Sequence, residues 1–156
     1  MPIHTLMCST NASGLHDTEL LTKSLEWLCG KKDIIKSEKT TSFHGSPITL
    51  FRIKLSRSQS RMALSRLGGE VLNSLINESE SRLDDENRLH FRISQNELVG
   101  GKIALANNEE NSIKIIAKIE VYPGDIPKKV LLKLLNESLE RCERRGWLNS
   151  HPDYTI

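Results

Sequence analysis

Histidine is the side chain whose ordinary charge change falls near neutral pH, and this 156-residue chain has five, at positions 4, 16, 44, 90 and 151. They are scattered, with no pairing that sets up acid and base together. His44 sits in the turn "SFHGSPI", residues 42–48, where an imidazole can act as a general base or simply bond its own backbone; the second is the simpler reading. Asp84, Asp85 and Glu86 are hard oxygen ligands of the kind a divalent cation takes. They lack the spaced ligands and the glycine of a calcium loop and read as a solvated turn. "VGGKIA", residues 99–104, looks like the end of a phosphate loop. Asn96, however, stands where its first glycine belongs, and Ile103 where Ser or Thr must meet magnesium. No G-x-S-x-G, H-E-x-x-H or C-x-x-C motif occurs. Cys8, Cys29 and Cys142 are odd in number and far apart, which fits reduced thiols rather than disulfides or zinc. The expectation is a protein without metal, cofactor or catalytic role. A hydrolase or nuclease built on His44 or His90 stands as an alternative.

The elements that must position such residues come from length and pattern. A chain of 156 residues is expected to form one domain spanning 1–156. With 22 Lys plus Arg against 20 Asp plus Glu, a formal net charge of +2, bulk charge makes no case for a polyanionic partner. The opening "MPIHTLMCST" has no basic start followed by an apolar stretch, and no run reaches the length of a membrane span. A cytoplasmic protein with no membrane partner is expected.

Along the chain, "IHTLMCSTNA" reads as a first strand. Leu21, Leu25 and Leu28 recur at helical spacing over about 17–30, with Asp17 placed to cap the start and Gly30 to end it. "DIIKSEKTTSF" (33–43) and residues 48–55 read as the second and third strands. Residues 57–79 are helical in pattern but carry Gly68 and Gly69 midway, which predicts a kink or two short helices. An acidic loop follows, then strands at 88–94, 102–106 and 112–122. A last helix over 125–146 has Pro127 in its first turn and Gly146 past its end. The order β-α-β-β-α-β-β-β-α predicts an α+β fold, a single two-layer domain with a largely antiparallel sheet covered by helices on one face.

Strand side chains alternate between faces. Placing Phe51, Ile53, Leu55, Leu89, Phe91, Ile93, Ile103, Leu105, Ile113, Ile115, Ala117, Ile119 and Val121 inward sends Arg52, Lys54, Arg88, His90, Arg92, Lys102, Lys114 and Lys118 to the open face, with Glu120 as its acid. Like charges on neighbouring strands are destabilising, so this segregation points to a polyanion lying across the sheet, in preference to an ordinary solvated surface. With Phe51 and Phe91 inward and only Tyr122 on the basic side, recognition of backbone and shape fits better than a sheet-borne stacking platform.

The stretches "FHGSPI", "RLDDENRLHFRISQNELVGGKIALA" and "IKIIAKIEVYP" together resemble the archaeal family described as predicted RNA-binding proteins or predicted exosome subunits. The matching residues are Phe43 to Ile48, with Ser46 where the family has Asn, and Arg82 to Asn87. Ser94, Gln95 and Asn96 stand where the family often has Asp-Lys-Gln. The resemblance implies a fold similar to that of ribosomal protein L-five. It also implies a non-catalytic RNA-binding accessory protein of RNA processing, with RNA and exosome or other RNA-processing proteins as partners. The basic residues above and the His44 turn would carry the contact. A protein-interaction module that docks on an RNA-processing complex is the other alternative; the oligomeric state is left open.

Overall fold

Alternation in the apolar strands produces one sheet with one oily face. The computed structural model describes residues 3–13, 18–31, 34–41, 44–107 and 111–147. In chain order the elements are β1 (Ile3–Ser13), α1 (Thr18–Cys29), β2 (Lys36–Thr41), β3 (Pro47–Leu55), α2 (Arg57–Ser65), α3 (Gly69–Asn77), α4 (Ser79–Arg82), β4 (Arg88–Ser94), α5 (Gln95–Val99), β5 (Ser112–Ile119) and α6 (Pro127–Arg144). The strands form a five-stranded sheet in the order β2-β3-β1-β5-β4, and every neighbouring pair is antiparallel. α2 packs on β1 and β3, α1 and α6 pack against α2, and α3 packs against α6. The expected α+β two-layer architecture is therefore the observed one. Phe51, Ile53 and Leu55, Leu89, Phe91 and Ile93, and Ile113, Ile115, Ala117 and Ile119 are all buried, as the alternation requires. No helix among the described residues is long and apolar enough to cross a membrane.

The glycine pair divides the middle helical segment as predicted. α2 starts with a capping box: the Ser56 hydroxyl accepts from the Gln59 backbone N–H, while the Ser56 N–H donates to Gln59 Oε1 at 3.0 Å. It stops at Ser65, and α3 begins after Gly68, whose φ of 89° suits a residue without Cβ. α6 ends in a Schellman motif, the Gly146 N–H donating to the Glu143 carbonyl and the Trp147 N–H to that of Cys142.

Three expectations change. The strand predicted at 102–106 is only one bridge, Ile93 with Leu105. Residues 95–99 coil into α5, capped by the Ser94 hydroxyl, which accepts from the Glu97 N–H at 3.2 Å, and Gly101 turns the chain at φ 94°. Too few residues remain to pair along β4. Ile103 is still buried, whereas Leu105 is only partly so. β5 stops at Ile119, which leaves Val121 beyond the sheet and half-buried. The acidic loop contains the single turn α4 and is pinned rather than loosely solvated, as described below. Asp17, expected as the cap of α1, lies outside the described residues.

The C-terminal ends of α1, α2 and α6 meet, and a helix end of that polarity attracts cations. Arg66, the residue capping α2, donates to the Leu28 carbonyl in the last turn of α1 at 3.4 Å. Its guanidinium lies 5.3 Å from the ring centre of Trp147, just past α6, and Arg145 lies 5.5 Å from the same ring. Arg141 donates to Ser65 Oγ at 3.1 Å. These arginines thus have structural work on the helical side of the molecule. Gly30, at φ 73°, lets Arg66 through: a Cβ built there would stand 2.4 Å from Arg66 Nη1. Gly30→Ala is expected to destabilise by about 1–2 kcal/mol through its left-handed backbone alone, and further by displacing Arg66. Denaturant melts of Gly30→Ala, Arg66→Ala and the double variant check this. The double variant should cost less than the sum of the two, whereas strict additivity would separate the glycine from the guanidinium.

Candidate nucleic-acid interface

Because the registers are fixed by the buried faces, the open face can be read row by row. Lys36 pairs with Arg52, Arg52 with Ser9, Ser9 with Lys114, and Lys114 with Arg92. One cross-strand row thus runs over all five strands with a cation on four of them. The next row holds Lys54, Met7, Ile116 and His90, and the one after it Thr5, Lys118 and Arg88. Three cation pairs, Lys36 with Arg52, Lys114 with Arg92 and Lys118 with Arg88, are directly opposed, the arrangement least favourable between strands. Spanning four inter-strand gaps of about 4.8 Å, the first row is roughly 19 Å long.

The ion pairs of the described residues do not neutralise this row. Their acids are Glu19, Glu78, Glu80, Asp84, Glu86 and Glu120, and none pairs with Lys36, Arg52, Lys54, Arg92, Lys114 or Lys118. Glu38, opposite Leu50, is the one carboxylate on the open face of β2. Arg92 donates to Ser112 Oγ at 3.1 Å, which holds its guanidinium across β5. Shallow depressions open between the rows. One of about 290 Å³ lies among Asn11, Arg52, Arg92, Ser112 and Lys114. A second of about 780 Å³ has an apolar floor of Met7, Ile34 and Ile116 with Lys36, Arg52 and Lys54 around it. A third of about 270 Å³ is lined by Arg82, His90, Arg92 and Lys114. Met7 is 39% exposed. The face offers cations for phosphates and small apolar surfaces for sugars or bases.

Asp84 governs the β4 edge. Its Oδ1 accepts from the backbone N–H groups of Glu86 and Arg88, each at 2.9 Å. Its Oδ2 meets His90 Nε2 at 2.7 Å and Arg88 Nε at 3.1 Å, while Arg88 Nη2 also reaches Glu86 at 2.9 Å. An acidic turn expected to be only solvated therefore supplies counter-charge to Arg88 and His90. The pair of a carboxylate orienting an imidazole is also how a general base is built, but here both oxygens are shared with backbone and arginine donors, and the adjoining depression is lined by cations. Two residues past Lys118, the partner of Arg88, Glu120 is engaged locally. It accepts from Arg57, from His4 Nδ1 at 3.4 Å and from the Tyr122 hydroxyl at 3.0 Å.

Of the residues singled out from sequence, Arg52, Lys54, Arg88, His90, Arg92, Lys114 and Lys118 come together on the open face. Lys102 does not: with its expected strand reduced to a bridge, it is an exposed residue of the turn after α5, its N–H donating to the Glu97 carbonyl. His44 is exposed at the tip of the β2–β3 hairpin, beyond Pro47, which is already five residues or about 17 Å along the strand from Arg52. Lys36 was missed. β2 is exposed throughout, so it has no apolar alternation to set a register, and only its hairpin pairing places Lys36 opposite Arg52. Ser94 and Gln95, at the positions of the family's polar triplet, serve the fold. Ser94 caps α5, and the buried Gln95 side chain donates to Thr10 Oγ1 at 2.8 Å and to the Asn11 carbonyl at 2.9 Å.

A family model described as RNA binding matches residues 7–119, the segment that contains every strand of the basic face apart from the first residues of β1. Solved structures share the fold. A DUF54 protein from Methanothermobacter thermautotrophicus is 23% identical, with a TM-score of 0.72 over 89% of this chain and 99% of its own. A DUF54 protein from Sulfolobus solfataricus is 14% identical, with a TM-score of 0.64 over 87% and 100%. A UPF0201 protein from Methanococcus jannaschii is 11% identical, with a TM-score of 0.55 over 84% and 98%. No curated protein matches the sequence.

The Asp84 pin makes stability depend on pH. Its hydrogen bond with His90, helped by the Arg88 and Glu86 backbone N–H groups and the Arg88 side chain, holds the carboxyl well below the usual carboxylate range against a smaller opposing effect of burial. A carboxyl lowered in this way stabilises the fold above its unfolded value, near 3.9, and loses that contribution as the pH falls towards its folded value. Asp84→Asn is expected to lower Tm at pH 7, and the deficit should shrink between about pH 5 and pH 2 as the wild type loses the same contribution. Thermal melts across that range check it; a deficit independent of pH would contradict the assignment.

Proposed function

This chain belongs to the RNA-binding family whose model spans residues 7–119, and from that membership we propose that it binds RNA backbone across the open face of its sheet, as a non-catalytic accessory protein of RNA processing. The observation that carries the reading is the row Lys36, Arg52, Lys114 and Arg92, with directly opposed cation pairs and no carboxylate partner among the described residues. Such a row lowers stability in the free protein, and neutralisation by phosphates relieves the repulsion while releasing counterions. The depressions beside the row give sugars or bases apolar contact with Met7 and Ile116. Association with the exosome or the ribosome, and likeness to ribosomal protein L-five, are the finer parts of the same proposal and rest on the sequence resemblance.

Replacing Lys36, Arg52, Arg92 and Lys114 together by Gln tests the face. All four point away from the core, and removing opposed like charges should leave the fold intact, with Tm unchanged or slightly raised. Affinity for a single-stranded RNA oligonucleotide should fall. The slope of log K against log salt should flatten by up to about 3, at about 0.7 per lost phosphate contact. Fluorescence anisotropy titrations over a range of salt read both quantities. A folded variant with unchanged affinity and slope would overturn the reading and favour a protein-interaction module. His44→Ala, remote from the row, is expected to leave the salt slope unchanged and to produce no difference in turnover of labelled RNA.

A further inference from the structure

We infer that Tyr122 is a stacking platform for one unpaired nucleobase of the strand that crosses the basic face, an inference that rests on the RNA-binding reading above. Tyr122 is 64% exposed, the most exposed of the large hydrophobic side chains described. Exposure alone is ordinary for a tyrosine. What sets this one apart is how its ring is held. The hydroxyl donates to Glu120 Oε2 at 3.0 Å, and the other oxygen of Glu120 is bound by Arg57, the first residue of α2, and by His4 of β1. The backbone N–H of Tyr122 donates to Asp125 Oδ2 at 3.1 Å, and the Tyr122 carbonyl accepts from the Asp125 N–H at 2.9 Å. Hydroxyl and backbone are thus both anchored while the ring face is left to solvent, so docking a base there costs little ordering.

The surroundings fit a nucleotide. Tyr122 borders a groove of about 700 Å³ lined by the cations Arg57, Lys129 and Lys133, by the carboxylates Glu120, Asp125 and Glu137, and by the apolar side chains Ile126 and Val130. Cations beside an exposed aromatic ring are the pairing that single-strand binders use, phosphate on the cation and base on the ring. The groove lies just beyond the end of β5, one of the strands of the basic face. Tyr122 lies three residues past the end of β5, whose Lys118 stands in the open-face row with Arg88. A strand leaving that row towards the C-terminal end of β5 passes Glu120, whose carboxylate is taken up by Arg57, His4 and the Tyr122 hydroxyl, and then meets the ring. Base pairing would hide the base from Tyr122, so the site separates single strands from duplexes, which a row of charges does weakly.

The experiment compares Tyr122→Leu, which keeps apolar bulk without a π-face, with Tyr122→Trp, which keeps the face. Anisotropy titrations use a single-stranded RNA oligonucleotide and a fully paired RNA duplex of the same length, with Tm measured for every variant. Tyr122→Leu is expected to raise Kd for the single strand about 5- to 150-fold, the range measured for loss of one base–aromatic stack. Its salt slope and duplex affinity should stay unchanged, and Tyr122→Trp should bind the single strand like wild type. Equal binding by the Leu and Trp variants would overturn the inference while the four-cation variant still reported on the face. Equal weakening for single strand and duplex, or a weakening matched by a loss of Tm, would also overturn it, because the ring would then act through structure or charge. If wild type binds neither RNA, the parent reading fails first, and the four-cation variant then shows no change either.

Discussion

An antiparallel sheet with helices on only one side must leave its other face in water, and the side chains on that face are chosen by strand parity rather than by the core. In this protein that parity puts Lys36 against Arg52, Lys114 against Arg92 and Lys118 against Arg88. In β3, β4 and β5 the core side buries Phe51, Ile53, Leu55, Leu89, Phe91, Ile93, Ile113, Ile115, Ala117 and Ile119, so a slip of one residue would bury the charges of these three strands and expose those apolar side chains. The hydrophobic core therefore enforces the charge rows. A repulsion that no local interaction would select is maintained by the much larger free energy of burying the opposite face.

The charge balance of the whole chain is reconciled with this local excess by where the carboxylates go. Glu120 is taken up by His4, Arg57 and Tyr122 at one end of the sheet, and Asp84 by Arg88, His90 and two backbone N–H groups at one edge. Both are committed to short-range geometry at the periphery. The centre of the face keeps its cations, and the field that a polyanion would meet is that of the row, not that of a net +2. The other concentration of arginines, around Arg66, Arg141 and Arg145, has a different cause: it serves three helix ends and the ring of Trp147.

Ser94 and Gln95, at positions where the resembled family often has a different polar triplet, hold the fold. Gln95 ties α5 to β1 through Thr10 and Asn11, and Thr10 in turn donates to the Ser112 carbonyl of β5 at 2.9 Å. Ser94 is a helix cap. These bonds close the end of the sheet beside the 290 Å³ depression, so their contribution to any ligand is to keep Arg92 and Lys114 in place. The shared fold with DUF54 and UPF0201 proteins at 11–23% identity fits a scaffold specified by pattern more than by particular side chains.

Period-two alternation in residues 48–55, 88–94 and 112–119, together with the glycine pair at 68 and 69 and the Pro127 and Gly146 brackets of α6, determined the α+β class, the buried face and most of the open-face cations from sequence alone. Those signals are local, because each comes from a strand or helix meeting a single core. Local pattern could not supply the partners across strands. That Lys36 joins the row depends on the pairing of β2, an exposed edge strand with no apolar period of its own. That Lys102 leaves it depends on Ser94 diverting the chain into α5. That Asp84 returns to Arg88 and His90, and that Glu120 locks the ring of Tyr122, are contacts between side chains set by a turn and by the packing of α2 against β1. Position along a strand is written in the chain, but which charges face one another is decided only when the strands assemble.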